Sequence, residues 1–219
     1  MSRKKRDIKD YMVLVVIVLF ISLIVNVFTS LQNYSSNYKV GRDSYREIEN
    51  IRAVNENNIN ILETAIDIGS ISNMDLLKLY RNFSDISDSN MNLWSDYIFY
   101  EDDSSIFRMK KQIEKNGDIF VDVNTKIEEY LLSILDREMQ TKSYKLELDG
   151  VILDNFTLMK KLSNDISNYY TSFYENNSLS KIEGEDRIKR VIKKHYWIDI
   201  LEGINEINYK YINENFYIE

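Results

Sequence analysis

The sequence predicts an all-α protein: one N-terminal transmembrane helix, then an antiparallel bundle of about four to five long helices. Three observations carry this expectation. A long uncharged apolar run follows a basic N-terminus. Beyond it, apolar residues recur at alternating spacings of three and four, the stripe of helices packed at shallow angles. Pro is 0 and Gly only 6 in 219 residues, so the chain has few of the breaks and turn formers on which sheet-rich folds depend.

The first element is the apolar one. Residues 1–11 read MSRKKRDIKDY, and Met12 to Phe28 follow with only Ser22 and Asn26 as polar interruptions. Extended to Leu31 the run has about 20 residues, enough at 1.5 Å per residue for a bilayer core of roughly 30 Å. A cleaved signal peptide would carry a shorter apolar core and small residues at a cleavage site. The segment Val27-Phe28-Thr29-Ser30 offers no such site, so 12–31 is expected to be a retained signal-anchor helix. Arg3, Lys4, Lys5, Arg6 and Lys9 precede it. The positive-inside bias then makes 1–11 a cytoplasmic tail and 32–219 an extracytoplasmic helical-bundle domain. Asn, Ile, Lys and Tyr, all common here, have AT-rich codons, which fits a low-GC bacterial source.

The body divides at polar breaks near Gly69–Ser72, Asp102–Ser105, Thr141–Gly150 and Asn176–Ser180. The first stripe runs Ile48, Ile51, Asn55, Ile59, Leu62, Ile66, and its helix is expected to continue out of the anchor through Leu31–Val40. The second runs Leu76, Leu79, Phe83, Ile86, Asn90, Leu93, Tyr97. The third runs Ile106, Met109, Ile113, Asn116, Phe120, Val123, Ile127, Tyr130, Ile134. The fourth runs Ile152, Asn155, Met159, Leu162, Ile166, Tyr169, Phe173. The last is broader, through Ile188, Ile192, His195, Ile200, Ile204, Ile207 and Tyr211. Ser72 stands three residues before Asp75, a helix-opening pattern. Asp103-Ser104-Ser105, Gly150, and Ser178 or Ser180 are the other expected starts. Tyr144–Leu148 alternates with period two, but a lone strand has no partner, so an ordered loop or helix end is expected there.

Composition excludes several chemistries. Cys is 0 and His is 1, which removes thiol redox, cysteine nucleophiles, iron–sulfur clusters and zinc fingers. The whole chain is at −7. The first eleven residues carry five basic and two acidic side chains, so the remainder is at −10, too acidic for a nucleic-acid surface. No catalytic, cofactor-binding or metal-binding residue is expected. His195 with Asp199 four residues on could form a base and its orienting acid; a histidine satisfied by local packing is the simpler reading. The cluster Arg187, Lys189, Arg190, Lys193, Lys194 could bind an anion, but a solvated face balanced by Glu183, Glu185 and Asp186 is the simpler reading. Glu101-Asp102-Asp103 lacks the glycine and spacing of a calcium loop, and Glu128-Glu129 follows a polar helix face.

Asn55, Asn90, Asn116 and Asn155 occupy core slots of the stripes, where an amide costs stability but can fix register or line a polar cavity, register or simple tolerance being the simpler reading. Trp94, Tyr97, Phe99, Tyr100 and Tyr169, Tyr170, Phe173, Tyr174 serve either core packing or surface contact. The triplets at Asn33, Asn82, Asn155 and Asn176 match the glycosylation pattern as an Asn-rich chain will by chance. The expected function is a protein-interaction or scaffold module, not an enzyme. Its partners would be the bilayer through 12–31 and a protein at the cell surface, with self-association open. A ligand-sensing ectodomain with a separate signalling partner is the alternative, and an envelope-acting enzyme a third.

Overall fold

A computed structural model describes residues 8–102, 111, 113, 123–141 and 143–216. Among them are six helices and two short strands: α1 Ile8–Ile68, β1 Ser70–Ser72, α2 Asn73–Asp102, α3 Val123–Thr141, β2 Lys145–Glu147, α4 Gly150–Asn176, α5 Gly184–Lys194 and α6 Tyr196–Lys210. The all-α expectation holds, with an apolar N-terminal helix leading into a helical bundle.

α1 has 61 residues, about 90 Å of helix. Its first half is long and apolar enough to cross a membrane. There the large apolar side chains from Tyr11 to Leu31 are 44–67% exposed. The second half is the spine of the bundle. The change comes at Gly41, where an added β-carbon would stand 3.1 Å from the side chain of Ile192; the missing side chain lets α5 settle against α1. One uninterrupted helix therefore joins the apolar segment to the packed domain.

α2 starts at the far end of α1 and runs back along it. Ser72 Oγ accepts from the Asp75 amide at 3.1 Å and donates to its carboxylate at 2.8 Å, so the expected opening pattern forms. Three rungs mark the antiparallel pairing: Asn82 with Asn58, Asn50 with Ser89, and Ser44 with Asp96. All seven residues of the second stripe are buried. α4 lies antiparallel on another side of α1, with Lys160 bonded to Glu63, Asn55 to the Ser163 carbonyl and Tyr170 to the Ile48 carbonyl. α3 packs on α2, with Ser87 meeting Thr125. The fully buried Phe83, Ile127, Leu131, Phe156 and Trp197 belong to one core cluster with α1. Each such side chain contributes about 1.5–3 kcal/mol by leaving water.

Four expectations change. The Tyr144–Leu148 segment does find a partner: Lys145–Glu147 pairs antiparallel with Ser70–Ser72. Its alternation is that of a real strand, with Leu146 buried between exposed Lys145 and Glu147. The final stripe is two helices, broken at His195, which is left-handed at φ 54°. α5 opens at Gly184 with Glu183 as its cap residue, so neither Ser178 nor Ser180 starts it. In the third stripe, Ile113 is not helical; its amide donates to the Tyr97 hydroxyl at 3.0 Å. Ile106, Met109, Asn116 and Phe120 and the cap candidates Asp103–Ser105 lie outside the described residues.

Candidate functional site

The end of the bundle farthest along α1 from its apolar half carries an open groove of about 590 Å³. The last turns of α1 form one wall with Ile61, Thr64 and Ile68, and β1 with Tyr144 and Lys145 forms the other. Gly69 makes this corner possible: at φ +74° it sits in the left-handed region, where a β-carbon clashes with the following carbonyl. It ends α1 and turns the chain straight into β1.

Large exposed apolar side chains gather at this tip, among and beside the polar residues of the lining. Ile68 is 67% exposed, Met74 68% and Tyr144 89%, with exposed Met139 near the same end of α3. Large side chains of this kind grouped on one tip mark a contact surface more often than single exposed residues do. The sheet edge adds a polar element. The Leu148 amide donates to the Gly69 carbonyl and the Asn73 amide to the Tyr144 carbonyl, which makes Ile71 and Leu146 a hydrogen-bonded pair in the same register. The alternation of antiparallel pairing then directs the backbone groups of Ser70 and Ser72 away from β2. Ser70 is itself buried, and its Oγ has no partner among the described residues. Sequence reasoning missed this site because it treated both strand segments as loops. The period-two run at 144–148 was the available signal.

The residues singled out in the sequence do not converge here. His195 lies at the corner between α5 and α6, its ring 5.3 Å from that of Tyr100. The carboxylate of Asp199 is ion-paired with Lys111, and its carbonyl accepts from the Tyr169 hydroxyl. In the basic cluster, Lys189, Lys193 and Lys194 are exposed as expected, whereas Glu185 pairs across to Arg42 at 3.3 Å. Glu101 is exposed at the end of α2 and Asp103 lies outside the described residues. Among the described residues no three His, Asp or Glu side chains are grouped to hold a metal.

Asn55, Asn90 and Asn155 are buried as the stripes require, and Asn58, Asn124 and Asn208 join them; Asn116 lies outside the described residues. Of the aromatics, Tyr97, Tyr100, Tyr170 and Tyr174 are core, Trp94, Tyr169 and Phe173 half-buried, and Phe99 exposed. Burial of Asn155 and the bond from Asn82 to Asn58 leave neither side chain free for a glycan.

Compared with known protein families, with curated proteins and with solved structures, the chain matches none.

Proposed function

We propose that this chain is a single-pass membrane protein whose bundle docks another protein through its far tip, without turnover chemistry. Residues 12–31 span the bilayer, 1–11 stay in the cytoplasm, and 32–219 stand outside. Support for the orientation comes from five basic residues before the span against Lys39, Arg42 and Arg46 spread over a longer stretch after it. Support for the tethered role comes from the continuity of α1, which would carry the domain outward as one rigid piece and concentrate it near neighbours at the membrane surface.

The observation that carries the docking role is the exposed Ile68 and Tyr144 lining the groove beside β1, with exposed Met74 on the adjoining first turn of α2. Water-exposed apolar area of this kind gains free energy when a partner covers it, and the exposed Ser72 end of β1 offers main-chain bonds to an extended segment. A −10 exterior suits a protein better than nucleic acid. The test is co-purification from native membranes. Met74→Glu with Tyr144→Glu should abolish recovery of a partner while leaving the helical signal intact. Replacing the span by an unrelated apolar helix, or His195 by alanine, should leave recovery unchanged. Loss of the function on His195→Ala with the fold intact would move the protein to the enzyme or ligand-sensor class.

A further inference from the structure

A second cleft, of about 280 Å³, lies on another part of the bundle, where α1, α4 and α5 meet. Its floor is Tyr170 and Tyr174, both buried. Two guanidinium groups converge on one ring here: Arg52 from α1 and Arg187 from α5 each stand 5.7 Å from the centre of Tyr174. The Tyr174 hydroxyl donates to Glu49 at 2.6 Å, and Glu49 also takes a bond from Arg52 at 2.7 Å. The ring is therefore fixed at both its edge and its faces.

The donors are not used up. Arg187 donates through Nε to the Ile182 carbonyl and faces the Tyr45 hydroxyl, and among the described residues it makes no ion pair. Arg52 holds Glu49 and reaches Glu56 only at 4.0 Å. Its Nε is buried with no partner among the described residues. A buried charged donor left unpaired is costly, more so than a neutral one. The two guanidinium groups held against one ring, Arg187 without an ion pair among the described residues, make a place for a carboxylate, which guanidinium groups bind in a planar fork. The cleft also carries acids, Glu56 and Glu175, with the hydroxyls of Ser167, Thr171 and Ser180 between. Both signs are thus present, with Glu49 a third acid beside them on Arg52. A simple anion would meet both acids and gain little; a molecule carrying both charges meets each with its opposite.

We propose that this cleft binds a small zwitterion, a free amino carboxylate, its carboxylate on Arg52 and Arg187 and its ammonium on Glu56 and Glu175. The size agrees: the cleft falls below the range of about 300–1,000 Å³ that holds drug-sized ligands. The site is separate from the tip groove, shares no lining residue with it, and stands whether or not the tip docks a protein.

The experiment uses the full chain in detergent micelles, screened by thermal shift with each standard amino acid at about 10 mM, where a ligand of millimolar affinity is largely bound. At least one should raise the melting temperature saturably. Its des-amino acid and its decarboxylated amine should each bind at least about tenfold more weakly, one pairing having been lost. Arg187→Gln and Glu175→Gln should each weaken binding about tenfold or more, measured against each variant's own ligand-free melting temperature, and Lys78→Gln, remote from the cleft, should not. Failure of every amino acid to shift the melting temperature would overturn the proposal. So would equal binding of the des-amino acid or of inorganic phosphate, or undiminished binding to Arg187→Gln.

Discussion

Tyr169 lies across α6 at Gly203, leaving no room for a β-carbon at that position, and its hydroxyl donates to the Asp199 carbonyl one turn earlier at 2.7 Å. This pair locks α6 onto α4, and the glycine is there for the close approach. Gly203→Ala should destabilise the domain by about 1–3 kcal/mol, the usual cost of overpacking. Tyr169→Leu in the same chain should recover part of that loss. Thermal unfolding followed by circular dichroism of the four variants of this cycle measures the coupling; additive effects would show that the two residues do not meet.

Asn90 is 1% exposed in the second stripe, and neither its Nδ2 nor its Oδ1 has a partner among the described residues. Asn90→Leu should therefore raise stability by roughly 1 kcal/mol or more, since it removes the desolvation cost of a buried amide and adds apolar packing. An unchanged or lower melting temperature would show that the amide is satisfied in solution. Asn55, which donates to the Ser163 carbonyl at 2.8 Å, should behave oppositely, because leucine there leaves that carbonyl without its bond.

The buried tyrosines make the fold sensitive to alkali. Burial, reinforced by Glu49, holds the Tyr170 and Tyr174 hydroxyls above the ordinary phenol value of 10.0; burial and Asp199 do the same for Tyr169. The folded pKa lies above the unfolded one, so their contribution is fully present below about pH 10 and is lost as pH rises beyond it, where the unfolded chain releases protons first. The melting temperature should fall steeply above about pH 10. Phenolate absorbance should show these tyrosines ionising only with unfolding, and Tyr174→Phe should flatten the slope. Full titration of all 16 tyrosines in the folded state would contradict the burial.

The helical body was legible because its stripes are long, and the second was right at every residue from Leu76 to Tyr97. Where phase slipped, the cause was local. In α1 the fully buried slot is Asn58, while its apolar neighbour Ile59 is half-buried, because Asn58 pairs with Asn82 across α2. In α4 the buried seam passes through Tyr170 and Tyr174, one residue on from the expected Tyr169 and Phe173. These two lean instead on α6, where Phe173 meets Tyr196 edge-on. A tyrosine-rich helix offers apolar surface at several phases, so spacing alone does not choose among them. The break at His195 needed a left-handed residue that no glycine announced, and the strand pair needed a partner far along the chain, Leu146 for Ile71.

Membrane orientation has its own check. Protease added to intact spheroplasts should digest the domain after residue 32 and leave a short fragment containing 12–31. Complete protection, or a mature N-terminus near Ser30, would reject the retained anchor facing outward.

The docking claim is tested most directly by photocrosslinking in native membranes, with a photoreactive residue placed in turn at Met74, Tyr144 and, as a control away from the groove, Lys181, which is also exposed. The account predicts a discrete adduct to one protein from positions 74 and 144 and none from 181. Adducts of equal yield from all three positions, or none from the tip while the chain is in its membrane, would contradict it.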